Sequence, residues 1–262
     1  MNIQNSHQQI ADIALKTVDA ASITAMSYFR QLLDVETKGD ESPVTVADKN
    51  VEAQIRDALL AAYPDFGILG EEHGSQNLDA DTFWVVDPID GTRSFISGMP
   101  LFGMLLGLVD KGKPVLGIVG MPALGETYIG QAGIGANMNG IPISVSSQTS
   151  LATATLFINE TETLVSQYPA VFAKLMKAGK IRRMSYDCYP HALVAAGHID
   201  AVVDCNLQPY DFLPIVALIE AAGGLMTDWE GNPLTMHSDG RVLSAATPEL
   251  LAELIELVGG AA

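Results

Sequence analysis

The sequence predicts an α/β protein built from two halves that meet near residue 145. Three observations predict it. Beyond residue 145, short runs rich in Val, Ile and Ala alternate with helical patterns, which is the rhythm of an α/β unit. Before it, two helical stretches lead into strands joined by glycine-marked turns. Between the two, Ser144 to Thr155 is crowded with serines and threonines, as expected of a crossover. The expected division is 1–145, an α+β half holding most of the acidic site residues, and 146–262, an α/β half, packed as one unit.

Taken in order, Ser6 to Leu33 predicts a long helix, since Ile10, Ile13, Ala14, Val18, Ala21, Ala25, Phe29 and Leu32 return at helical spacing. Val35 to Val46 is polar and predicts a loop. Asp48 to Tyr63 predicts a second helix, opened by Thr45 three residues before Asp48 and stopped by Tyr63-Pro64-Asp65. Phe66 to Leu69 is a short apolar segment leading into Gly70-Glu71-Glu72-His73-Gly74, and Phe83 to Val86 predicts a strand that Pro88, which has no N–H, should end. Leu101 to Val109 and Val115 to Val119 form a hairpin across Asp110-Lys111-Gly112-Lys113-Pro114, followed by a strand at Glu126 to Gly130. The glycines from Gly130 to Gly140 lack dinucleotide-fingerprint spacing and predict turns. The second half should run as strand (Thr155 to Ile158), helix (within Thr163 to Lys177), strand (Ile181 to Met184) and helix (Asp187 to Ala196). It continues as strand (Ala201 to Cys205), helix (Asp211 to Ala222), strands at Gly224 to Thr227 and Val242 to Ala245, and a helix from Pro248 to Leu257.

Composition narrows the function. Of 262 residues, 48% are hydrophobic and 17% charged, which suits a folded globular protein. Fourteen basic against 31 acidic residues give a net charge of −17, the wrong sign for a non-specific nucleic-acid binder. Cys188 and Cys205 make no Cys-x-x-Cys pair and suggest neither a disulfide framework nor a zinc site. No apolar run approaches the ~20 residues of a membrane span. The first thirty residues lack the basic and apolar regions of a signal peptide. A soluble cytoplasmic protein, binding neither membrane nor nucleic acid, is the expectation.

The chemistry concentrates in Trp84 to Thr92. An apolar strand leads into two carboxylates, Asp87 and Asp90, with Gly91 permitting a tight turn and Thr92 adding a hydroxyl. Oxygen donors of this kind suit Mg²⁺. Glu71, in Gly70-Glu71-Glu72-His73-Gly74, and Asp211, at a helix start where it could also be an N-cap, stand at element boundaries too. Singly, each acid has an ordinary structural explanation. Gathered together, Glu71, Asp87, Asp90 and Asp211 would repel one another unless cations lay between them. Such a cluster, with Thr92 beside it, points to metal-assisted hydrolysis of a phosphate monoester.

Gly70-Glu71-Glu72, Asp87-Pro88-Ile89-Asp90-Gly91-Thr92, and Tyr210-Asp211 with Glu220-Ala221-Ala222-Gly223-Gly224 together resemble the inositol monophosphatase-like superfamily of lithium-sensitive, Mg²⁺-dependent phosphatases. The resemblance covers nearly the whole chain and implies a layered α-β-α-β-α sandwich. Within the superfamily, Thr92 to Pro100, Asp187-Cys188-Tyr189, Ala195 to Asp200, Leu207 to Phe212 and Thr227 to Gly231 resemble the bacterial histidinol-phosphatase branch. Arg93-Ser94 and Tyr210 stand where inositol monophosphatases usually have Thr-Asn and Trp.

The resemblance implies site roles. Glu71, Asp87 and the Ile89 carbonyl would hold one metal, and Asp87, Asp90 and Asp211 a second, with two or three Mg²⁺ per site in all. Glu71 and Thr92 would activate the water, supported from behind by Thr45 and Asp48. The Gly91 and Thr92 N–H groups would face the phosphate. Lys38 lies in the loop that holds a metal-site lysine in some relatives. Asp204 matches a substrate-contacting acid that is usually Glu, and could pair with the ammonium of histidinol phosphate. Arg93 and Asp187 are further specificity candidates, Arg93 being equally suited to a salt bridge. The implied enzyme hydrolyses L-histidinol phosphate in histidine biosynthesis, as a homodimer. An inositol-1-phosphate phosphatase, a nucleotide or sugar bisphosphate phosphatase, and a regulatory binding protein without turnover stay open.

Overall fold

A computed structural model describes residues 3–37 and 43–259. Two helices open it, α1 (Ile3–Tyr28) and α2 (Val46–Ala62), linked by a short antiparallel pair, β1 (Val35–Thr37) and β2 (Pro43–Thr45). The first helix stops earlier than its periodicity suggests. Arg30 takes a left-handed φ of 61°, and Leu32 is fully exposed instead of continuing the apolar face. The polar stretch expected as a loop is thus partly a strand pair, while Lys38 lies outside the described residues.

Next come β3 (Gly67–Gly70), β4 (Gly74–Gln76), β5 (Thr82–Asp90), the short helix α3 (Thr92–Ile96), β6 (Gly103–Asp110), β7 (Lys113–Met121), β8 (Glu126–Gln131), β9 (Gly135–Met138) and β10 (Ile141–Ile143). These strands form an eight-stranded sheet in the order β10-β9-β8-β7-β6-β5-β3-β4. Within this sheet, among the described residues, only β3 and β5 pair in parallel. The remainder is β11 (Thr155–Ile158), α4 (Thr161–Gln167), α5 (Pro169–Leu175), β12 (Ile181–Met184), α6 (Tyr189–Ala195), β13 (Ala201–Asp204), α7 (Pro209–Ala221), β14 (Leu225–Asp228), β15 (Val242–Ala245) and α8 (Pro248–Gly259). Its five-stranded sheet has the order β12-β11-β13-β15-β14. Where one helix is expected, α4 and α5 are separate, because Pro169 forces Tyr168 out of the helical region.

Side-chain alternation sorts the layers. From β5, Trp84 and Val86 face the core shared with α1 and α2, whereas Phe83 and Val85 face α6 and α7. From the second sheet, Ala201, Val203, Leu243 and Ala245 face the cluster formed with α4, α5 and α8. Val202 packs with Val194 and Leu193 of α6, and Val242 joins the core of α7. The layers are therefore helix, sheet, helix, sheet, helix, the α-β-α-β-α sandwich. Among the described residues no helix is long and apolar enough to cross a membrane.

One seam fixes the middle helix layer. Gly107, Gly117 and Gly130 are direct cross-strand neighbours on β6, β7 and β8. They make a groove in the sheet surface into which α7 settles. A Cβ on Gly117 would overlap the Pro214 carbonyl oxygen, and one on Gly130 would lie 2.5 Å from the Leu218 Cα. Both obstacles are helix backbone, so neither can swing aside.

Gly117→Ala should therefore destabilise the protein by about 2–3 kcal/mol, the upper range for overpacking a rigid contact. Urea unfolding checks it; a change below about 0.5 kcal/mol would mean that α7 is free to lift off the sheet.

Candidate active site

The site begins with an irregularity in β5. Asp87 pairs with Leu105 on β6, and the next registered pair is Asp90 with Gly103, so β5 has one extra residue. Pro88 sits in this bulge and does not end the strand, contrary to its local signal. Its missing N–H is tolerated because the ladder is already broken there, and the pairing with β3 stops at Val86. The bulge holds Asp87 and Asp90 at the strand's end, with Ile89 anchored in a core of Ala47, Phe95 and Phe102. Gly91 then turns the chain with φ of 84° into α3. A side chain there would also strike the Asp187 carboxylate, at 2.6 Å.

The third acid arrives on α7. The N-cap is Gln208, not Asp211; Asp211 is the third helical residue and accepts the Gln208 N–H at 2.7 Å, closing a capping box. Ligand oxygens of Asp87, Asp90 and Asp211 lie within 4.8 Å of one another. Burial pushes Asp87 well above the usual carboxylate range, and Glu71, Asp90 and Asp211 push it further. Burial raises Asp90 in the same way, reinforced by Asp187 and Asp211. It pushes Asp211 up to about 8, against the opposing Gln208 N–H. Such a site has a deficit of positive charge. An all-oxygen donor set at this spacing fits a hard divalent cation such as Mg²⁺.

Glu71 follows β3, its N–H donating to the Val86 carbonyl at 3.2 Å. Behind the turn lies Glu52 of α2, fully buried, which accepts the Glu72 N–H at 2.6 Å and the His73 N–H at 3.1 Å and pairs with Arg56 at 3.3 Å. Gly70 is required there because a Cβ would overlap the Glu52 carboxylate. Glu52 is absent from the expected site. Its signal was an acid on the apolar stripe of α2, between Asp48, Val51 and Ile55.

Thr45 and Asp48 form a complete capping box on α2. Asp48 Oδ2 accepts the Thr45 N–H at 2.8 Å and the Thr45 hydroxyl at 2.6 Å. Its other oxygen accepts the Thr92 hydroxyl at 3.1 Å. Thr92 Oγ also lies 3.3 Å from the Ile89 carbonyl oxygen. The Thr92 proton is thus directed toward Asp48, which leaves an oxygen lone pair to accept from a group in front.

Glu71, Asp87, Ile89, Asp90, Gly91, Thr92, Arg93, Asp187, Asp204 and Asp211 all line one cavity of about 380 Å³, while Thr45 and Asp48 stand behind it. The expected substrate contacts differ in state. Arg93 is largely exposed and lies 3.8 Å from Glu162, a surface pair of small energetic value. Asp187 accepts the Ser94 hydroxyl at 2.7 Å, and burial pushes its carboxyl up to about 6 despite that bond. Asp204 is buried and accepts from Asn159 at 2.7 Å, from the Cys205 N–H at 2.8 Å and from His191 at 3.0 Å. Neither Asn159 nor His191 was expected. Glu160, also unexpected, lines this cavity and an adjoining one of about 240 Å³ shared with Arg93 and Asp187.

Comparison with known proteins bears on the family. Residues 6–261 match the model of the inositol monophosphatase family. The chain is 38% identical over 251 residues to a histidinol-phosphatase of Chlorobaculum parvum, covering 94% of this chain and 95% of that protein. It is 39% identical over 226 residues to the chloroplastic bifunctional phosphatase IMPL2 of Arabidopsis thaliana, covering 86% of this chain and 65% of that longer protein. The solved inositol monophosphatase of Zymomonas mobilis superposes with a TM-score of 0.86 at 35% identity, over 96% of this chain and 98% of the other. The chain belongs to the inositol monophosphatase family.

Proposed function

We propose that the protein hydrolyses a small phosphate monoester, L-histidinol phosphate by preference, with Mg²⁺ held by Glu71, Asp87, the Ile89 carbonyl, Asp90 and Asp211. The observation behind the chemistry is the convergence of Asp87, Asp90 and Asp211 within 4.8 Å beside the Gly91 turn. Bound Mg²⁺ would supply charge to polarise the phosphate and lower the pKa of a water.

The chain's own groups do the rest. Gly91 and Thr92 open α3, where backbone N–H groups have no intrahelical acceptor and suit phosphate oxygens. Thr92, with its proton turned to Asp48, accepts from the attacking water and holds its lone pair toward phosphorus. Glu71 stands ready to take the water's proton, its turn clamped by Glu52. On the far side, Asp187, Glu160 and Asp204 make an acidic wall for the leaving group. Such a wall favours an ammonium or imidazolium over an uncharged polyol. The histidinol-phosphatase name of the Chlorobaculum relative supports the same substrate. On the resemblance alone we also infer a homodimer.

Phosphate release should require Mg²⁺, vanish with EDTA and return on adding Mg²⁺ back. Release of no phosphate from any ester would favour a binding protein. Asp90→Asn should lower kcat by at least about a hundredfold, while the metal-free melting temperature stays the same or rises, because one repelling charge leaves the cluster. A fully active Asn variant would refute the assignment of Asp90. Among esters, kcat/KM should be highest for L-histidinol phosphate, above inositol 1-phosphate and nucleotide or sugar bisphosphates; a strong preference for inositol phosphate would overturn the substrate reading.

A further inference from the structure

His191 has no part in the chemistry above, yet it is completely buried and hydrogen-bonded at both ring nitrogens. Nε2 lies 3.0 Å from Asp204 Oδ2, and Nδ1 lies 2.8 Å from Ser244 Oγ. A carboxylate cannot donate, so Nε2 must bear the proton whether the ring is neutral or charged. Nδ1 is then met by the Ser244 hydroxyl, which can donate or accept as needed. Ser244 is itself buried on β15, next to β13, so the imidazole is fixed at both ends.

The anchored partner is a cavity residue. Asp204 ends β13 and lines the space in front of the acidic cluster. Its Oδ2 accepts from His191 and from Asn159, and its Oδ1 accepts from the Cys205 N–H. A carboxylate offers roughly four acceptor sites, so about one remains, on Oδ1. Asn159 extends the chain of bonds, its amide also donating to the Asp187 carbonyl at 3.0 Å. Asp204 therefore has a set orientation before any substrate enters. Short Asp204 cannot reach far into the cavity, so its value as a contact depends on being held in place at the cavity wall.

We propose that His191 is a positioning residue for substrate selection. Through Asp204 it fixes the acceptor that receives a donor group, an ammonium by preference, on the leaving-group side of the phosphate ester. This rests on the phosphatase reading above. It adds that the discrimination between cationic and neutral esters depends on a ring that never touches the substrate. A preset acceptor loses little orientational freedom on binding, which is where the selectivity arises.

The test is a double-mutant cycle on the full chain with L-histidinol phosphate and glycerol 2-phosphate as cationic and neutral esters. His191→Leu should raise KM for the cationic ester about tenfold, in keeping with a lost hydrogen bond to a charged group, with kcat changed less than about threefold. KM for glycerol 2-phosphate should move less than about threefold. His191→Gln, whose amide can still donate, should recover most of the loss. Adding His191→Leu to Asp204→Asn should cost nothing further. Should His191→Leu alone fail to fold, the comparison of the double variant with Asp204→Asn decides, since no buried charge is then stranded. Equal losses on both esters, or additive effects of the two substitutions, overturn the inference. If the wild type prefers a neutral ester, the substrate reading fails. The coupling of His191 to Asp204 is then measured on that preferred ester, and additivity there overturns the inference separately.

Discussion

The seating of α7 on the glycine groove is the constraint from which the site follows. Asp87 and Asp90 come from β5, and Asp211 comes from a helix more than a hundred residues later. Their oxygens meet within 4.8 Å only because α7 lies flush on the sheet. The Gly107-Gly117-Gly130 row removes three side chains from that contact. Dense packing of rigid backbone against rigid sheet leaves little freedom to relax. The helix start is therefore held against the repulsion of the acids it brings together, and the packing core bears an electrostatic cost that a bound cation would offset.

Economy of carboxylate oxygens follows from the same geometry. Asp48 closes the capping box of α2 with one oxygen and receives the Thr92 hydroxyl with the other. Asp211 closes the box of α7 with Oδ2, and its carboxylate also joins the acid cluster. A cap fixes a side-chain rotamer against the helix start, at a typical gain of about 1 kcal/mol. Here that local gain also aims the carboxylate as a whole, so the fold orients the candidate site without additional residues.

This explains which features were legible in the sequence. The acids at element ends could be found because they interrupt apolar runs, and the strand and helix alternation of the second half follows from local patterns. Pro88 misled because its meaning depends on β6, where a bulge makes its missing N–H harmless. Asp211 looked like a cap because nothing local distinguishes an N-cap from the third residue of a capping box opened by Gln208. Glu52 and His191 were hidden for a different reason. Each lies on a helix among apolar residues, and its partners sit on other elements, such as the turn after β3 for Glu52 and the strands β13 and β15 for His191. The matching of buried polar groups is a property of the packed state.

Buried and half-buried acids in this protein separate by the donors they receive. Asp48 takes three hydrogen bonds from Thr45 and Thr92, Glu52 takes two backbone N–H groups and Arg56, and Asp204 takes His191, Asn159 and a backbone N–H. Each is matched inside the protein. Asp87, Asp90 and Asp211 each accept a backbone N–H, from Ile89, Cys188 and Gln208, and otherwise lie among acids: one another, Glu71 and Asp187. Their pKa values rise because burial disfavours the charged form and neighbouring acids repel it. Among the described residues, the unanswered charge is thus concentrated at the end of a bulged strand and under the first turn of α7. An acidic protein of net charge −17 can attract a phosphate ester only where that sign is locally reversed. The same deficit that weakens the metal-free fold at this point is what would draw a divalent cation there, and the anionic substrate after it.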